Sequence, residues 1–127
     1  MGMDRIVTFA EEQAPSWESV MALLTQHNYP VQMRMINGEL AFPDEEPPED
    51  WREIRVGTPG GMVTVRRDPS RFVLVIWGNA ESELLQAWNA LAWALACASQ
   101  GTVLEAEQSL TPEQFQQVAE LPPVFSS

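Results

Sequence analysis

The sequence predicts an α+β domain. The expected architecture is an antiparallel sheet of about five to seven strands, two main helices packed on one face, and a short helix near the C-terminus. Three observations carry this. Short β-prone runs follow one another with turn signals between them, at Asn37-Gly38, at Thr58-Pro59-Gly60-Gly61 and at Asp68-Pro69-Ser70. Two longer stretches repeat apolar residues at helical spacing. The resulting order, β-α-ββ-loop-βββ-α-β-α, has hairpin-linked strands interrupted by helices.

Each element has its own justification. Asp4 to Ala10 holds Ile6, Val7, Thr8 and Phe9, a β-prone run read as the first strand. Trp17, Val20, Met21 and Leu24 keep helical spacing, with Pro15 or Ser16 suited to the start and Asn28 with Pro30 to the stop. VQMRMI, Asn37-Gly38 and ELAF make the first hairpin, because both turn positions of Asn-Gly tolerate positive φ. Pro43 to Asp50, PDEEPPED, suits neither helix nor strand and is expected as a stiff, solvated loop. WREIRV and MVTVRR alternate around TPGG. FVLVIW, 72–77, is apolar throughout, the pattern of a central strand covered on both faces or nearly so.

Asn79 suits the cap of a helix from about Ala80 to Ser99, with Gly101 at its stop. Thr102 to Glu107 returns as a strand, and Thr111-Pro112-Glu113-Gln114 has capping-box spacing before a short helix. The whole of 1–127 is expected as one domain, with residues 43–50 as its acidic loop and 121–127 as a loose tail onto which Val124 and Phe125 could dock.

Composition narrows the function. The chain has 127 residues and a formal charge of −11; all seven cations are arginine, the last being Arg71. That balance disfavours nucleic acid and anionic membrane as partners. The longest apolar run, Ala90 to Ala98, is far short of the roughly 20 residues that span a bilayer. The N-terminus carries no secretory signal, and one cysteine permits no internal disulfide, so a cytoplasmic location is expected.

Catalytic constellations are scarce. His27 is the sole histidine and Cys97 the sole cysteine, too few for a histidine- or cysteine-based metal set. His27 suits a structural role at a helix end, and Cys97 an inert packing role. TPGGMV lacks the Lys and helix of a phosphate loop, and PDEEPPED lacks the spacing and glycine of a calcium loop. No cofactor and no catalytic residue are expected.

Three features remain as sites. Arg52, Arg55, Arg66 and Arg67 would gather on one hairpin, with Arg71 just beyond. They are read either as pairing with Glu53, Asp68 and the acidic loop, or as an anion site. The carboxylates Asp44, Glu45, Glu46, Glu49 and Asp50 offer a surface to a basic protein. Trp17, Trp77 and Trp88 fall on core-facing positions, whereas Trp93 does not. On a helical wheel Leu84, Trp88, Leu91 and Leu95 form one face. Trp93 lies opposite, among Gln86, Asn89, Ala90 and Cys97. Such a face suits contact with another chain, or cover by the last helix or tail. The expected function is a non-catalytic acidic protein-interaction module that dimerises through the second helix. It would bind a basic or unfolded protein in the manner of an inhibitor, an immunity protein or a chaperone. The alternative is a small ligand-binding domain or enzyme using the arginine hairpin.

Overall fold

The computed structural model describes residues 2–78 and 81–126. Its class is the expected α+β. One antiparallel sheet of eight strands runs in the order β3-β2-β4-β5-β6-β1-β7-β8. In chain order the strands are β1 (Gly2–Thr8), β2 (Gln32–Ile36), β3 (Glu39–Leu40), β4 (Glu53–Thr58), β5 (Gly61–Asp68), β6 (Arg71–Trp77), β7 (Thr102–Glu105) and β8 (Gln108–Leu110). The helices are α1 (Trp17–Gln26), α2 (Ser82–Ser99) and α3 (Pro112–Val118). None is long and apolar enough to cross a membrane, among the described residues.

β8 exceeds the expected count, and its turn explains why. The β7–β8 hairpin closes through Ala106 and Glu107, both at positive φ (48° and 71°). Neither residue is one that normally marks such a turn. Thr102 to Glu107 therefore reads as one strand, although the chain reverses inside it. At Asn37-Gly38 the expected signal operates, with φ of 50° and 83°.

The helix ends are chemically specified. The Ser16 hydroxyl accepts from the Ser19 N–H at the start of α1. Thr111 and Gln114 complete a reciprocal capping box at α3. The residue before Ser82 that closes the start of α2 is Glu81, without a side-chain cap; the expected cap Asn79 lies outside the described residues. α2 stops at Gln100 in the left-handed region (φ 55°). Gly101 follows because a Cβ there would sit 2.1 Å from the Thr8 carbonyl oxygen of β1.

α2 lies across β1, β5, β6 and β7, α1 packs beside α2, and α3 sits against α2, β7 and β8. The core lies between them and one face of the sheet: Val7 of β1, Met33 of β2, Ile54 and Val56 of β4, Val63 and Val65 of β5, Phe72, Leu74 and Ile76 of β6 and Val103 of β7 meet Val20, Leu24, Leu91, Leu95 and Phe115 of the helices. The Trp88 indole N–H donates to the Leu74 carbonyl at 2.9 Å. Arg5 also points to this side. Its guanidinium lies over the rings of Trp88 (4.3 Å) and Phe115 (5.1 Å) and pairs with Glu105. Among the described residues, no helix covers the other face of the sheet.

The C-terminal segment packs on the helices. Phe125 is buried against Trp93 (5.4 Å, edge-on), His27 (4.8 Å, stacked) and Tyr29 (5.8 Å). Of the two candidate docking residues, Phe125 finds an aromatic cage, with Pro122 buried beside it, whereas Val124 stays exposed.

Candidate functional site

Alternation decides which strand residues meet on the uncovered face. The register sets Arg55 of β4 beside Thr64 of β5, Val75 of β6 and Asp4 of β1 in one row. The next row holds Glu53, Arg66, Val73 and Ile6, and the one beyond it Asp68, Arg71 and Thr8. On the other side, Gly57, Met62, Trp77 and Gly2 share a row. Leu40 of β3 lies opposite Met35, which lies opposite Arg55, and Leu104 extends the face onto β7.

This face carries exposed bulk. Leu40 (88% exposed), Met62, Trp77 (47%) and Leu104 stand on it, and Phe42 (75%) continues the β3 edge two residues on. Its centre is nonetheless sealed. Thr64 is 1% and Val75 3% exposed, although no helix lies above them, and Val75 is outside the main core. Trp77 roofs them, with the guanidinium carbons of Arg55 and Arg66 each 6.0 Å from its ring centre. The Thr64 hydroxyl under this roof has no hydrogen-bond partner among the described residues.

Trp77 is not the core residue that the sequence suggests. In FVLVIW every position is apolar, so the run gives no phase; the pairing of Phe72 with Val7 and of Leu74 with Arg5 turns Trp77 outward with Val73 and Val75.

The four hairpin arginines do not gather. Period-two alternation sends Arg55 and Arg66 to the open face and Arg52 and Arg67 away from it. The Arg67 guanidinium lies 5.0 Å from the Trp51 ring centre and donates to the Glu49 carbonyl. Arg66 pairs with Glu53 at 3.1 Å and Arg71 with Asp68 at 3.0 Å, as expected. No arginine pairs with the loop carboxylates, among the described residues, and Asp44, Glu45, Glu46, Glu49 and Asp50 are all exposed. A cleft of about 440 Å³ lies beneath that loop, lined by Trp17, Pro47, Pro48, Trp51 and Arg67. Arg34, Arg55 and Asp4 on the open face likewise have no ion-pair partner among the described residues.

The Trp93 face of α2 is covered within the chain. Trp93 is 7% exposed beneath Phe125 and His27. Asn89 donates to the Glu120 carbonyl at 2.9 Å, and Gln86 to its carboxylate at 3.3 Å. An open dimer face around Trp93, Gln86, Asn89 and Cys97 is therefore corrected to intramolecular cover. Cys97 is half-buried; desolvation first, then the nearby Glu113 carboxylate, push its thiol up to about 11. Among the described residues no cluster of histidine, cysteine, aspartate and glutamate could hold a metal ion.

The architecture is a helix-backed antiparallel sheet with one open, mixed apolar and arginine face. The sequence matches no protein-family model, no curated protein and no solved structure.

Proposed function

We propose that this chain is a non-catalytic protein-interaction module that associates through the open face of its sheet. One observation carries the reading: Leu40, Met62, Trp77 and Leu104 share the face that no helix covers. Large apolar side chains concentrated on one surface mark a contact with another chain. Tryptophan and arginine side by side are the residue types that dominate such contacts. The non-catalytic part rests on His27, held between Trp93 and Phe125, and on Cys97, whose thiol keeps its proton at neutral pH.

A second surface suits a different partner. The five exposed carboxylates of the 43–50 loop form no ion pair among the described residues and favour a basic protein, as an inhibitor or immunity-type role requires.

A photoreactive benzoylphenylalanine placed at Met62, at Glu46 and at Glu18 on α1 tests both surfaces in cells. The sheet reading expects protein adducts from Met62 and none from Glu18. Absence of adducts at Met62, or equal labelling at Glu18, overturns it. Adducts at Glu46 are the outcome that the loop reading requires.

A further inference from the structure

The occupant of the open face can be sought in its charge pattern. A chain of net charge −11 repels a copy of itself almost everywhere. The open face is the exception, where Arg34, Arg55, Arg66 and Arg71 meet only Asp4, Glu53 and Asp68. It is the surface on which two copies repel least.

The register goes further. In the order β3-β2-β4-β5-β6-β1-β7-β8 the midpoint falls between β5 and β6. Consider a two-fold axis lying above the face, parallel to the strands, over that midpoint. It sets β5 against the β6 of a second copy and β4 against its β1, with each row facing the same row. Arg55 then meets Asp4 of the other copy, and Asp4 meets Arg55, so two charges without ion-pair partners become two pairs. In the row beyond, the Asp68–Arg71 pair meets its own image with the charges opposed.

Met62 faces Trp77, a favourable sulfur–aromatic contact. Gly57 faces Gly2. An added Cβ at Gly57 would lie 2.9 Å from Arg34 Nε, and one at Gly2 3.2 Å from Trp77 Nε1. These two glycine positions are therefore roofed by an arginine in one copy and an indole in the other, which is cation–π pairing across the interface. The already neutralised Arg66–Glu53 pair covers Val73 and Ile6 with its aliphatic stems. A two-fold across the strands would instead set β4 against β4 and β1 against β1, so that Arg55 could not meet Asp4 of the other copy.

The size is adequate. Four to six strands spaced about 4.8 Å and about 20 Å long project about 400–600 Å², and a corrugated face exposes more than its projection, near the roughly 800 Å² per partner of a standard interface. Twisted sheets pack face to face with strands aligned to within about 30°, which preserves the facing rows near the centre.

We propose that the first partner of the open face is a second copy of this chain, docked sheet to sheet about a two-fold axis between β5 and β6, with Arg55 paired to Asp4 across it. This rests on the open face being an interaction surface. Sedimentation equilibrium over a concentration series should give twice the chain mass for the wild type. Arg55→Asp and Asp4→Arg each place like charges together twice, and each should weaken the dimer by about tenfold to a hundredfold. The double variant R55D/D4R rebuilds both pairs in reverse and should return to within about threefold of wild type. Both positions are exposed, and circular dichroism checks that each variant is folded. A wild type that stays monomeric, single variants that leave the dimer unchanged, or a double variant no better than the singles overturns the proposal. A monomer that still gives Met62 adducts with a different protein overturns the dimer alone. No Met62 adduct of any mass removes the interaction face as well.

Discussion

Trp93 and Trp77 occupy opposite sides of the molecule and met different ends. Both stand on flat surfaces, among small residues on α2 in one case and on the bare sheet in the other. Trp93 is covered by the chain's own C-terminus, through Phe125 and His27. Trp77 has the Arg55 and Arg66 side chains beside it, and about half of it faces water. The difference teaches that an apolar helix face is no guide to an interface when a tail of the same chain can reach it. The sheet face has no such cover. Arginine side chains lie beside the Trp77 ring at its centre, with their stems on apolar surface.

The largest expected effect separates the two tryptophans. Trp93→Ala removes the floor of the Phe125 cage and should destabilise the fold by about 3–5 kcal/mol, the usual cost of deleting a buried aromatic. Urea denaturation measures this. A loss under about 1 kcal/mol would mean that the tail contributes little and that the α2 face is open after all.

A smaller effect is expected on the other side. Trp77→Ala should cost under about 1 kcal/mol when measured on dilute monomer, because the residue is half exposed and leaves no enclosed cavity. A loss as large as that of Trp93→Ala would show the roof over Thr64 and Val75 to be a second core.

The smallest effect lies at the end of the α2 face. The Cys97 thiol is raised from 9.0 to about 11 in the folded chain, so its neutral form is the one the fold favours. The stability this contributes is fully present below about pH 9 and is lost as pH rises toward 11. At pH 8 its reaction with a disulfide reagent should run about a hundredfold slower than in the unfolded chain, through the lower thiolate fraction. Equal rates in the folded and urea-unfolded protein would show that burial does not hold the Cys97 thiol in its neutral form.

Much of the fold was legible. The Asn37-Gly38 turn, the Ser16 and Thr111 caps and the helical spacing of Trp17, Val20 and Leu24 are local signals, and local geometry obeyed them. FVLVIW is central as its continuous apolar character suggests, fifth of eight strands, but cover on both faces does not follow, because Trp77 on its second face is half exposed. β8 was hidden because Ala106 and Glu107 enter the left-handed region without being residues that announce it.

The candidate site was legible only in part. Arg52, Arg55, Arg66 and Arg67 were visible as one hairpin group, and strand phase then divides Arg55 and Arg66 from Arg52 and Arg67. Asp4, Arg34 and Trp77 carried no signal of their own. Asp4 is 51 residues before Arg55 in the chain and comes onto its row through Val75 and Thr64. The wheel separated the two faces of α2 correctly and still could not say what covered the second, because the answer came from Phe125, more than thirty residues away in sequence.

By itself the sequence determined the class of fold, the caps and turns, the acidic loop and the absence of histidine or cysteine enough for a metal set, because these depend on residues a few positions apart or on composition. Tertiary structure alone decided that Trp93 is covered and Trp77 open, that the arginines divide between two sides of the sheet, and that Arg55 and Asp4 lie at mirrored places about its midline. Strand pairing across the whole chain fixes phase and order, and no local window contains that information.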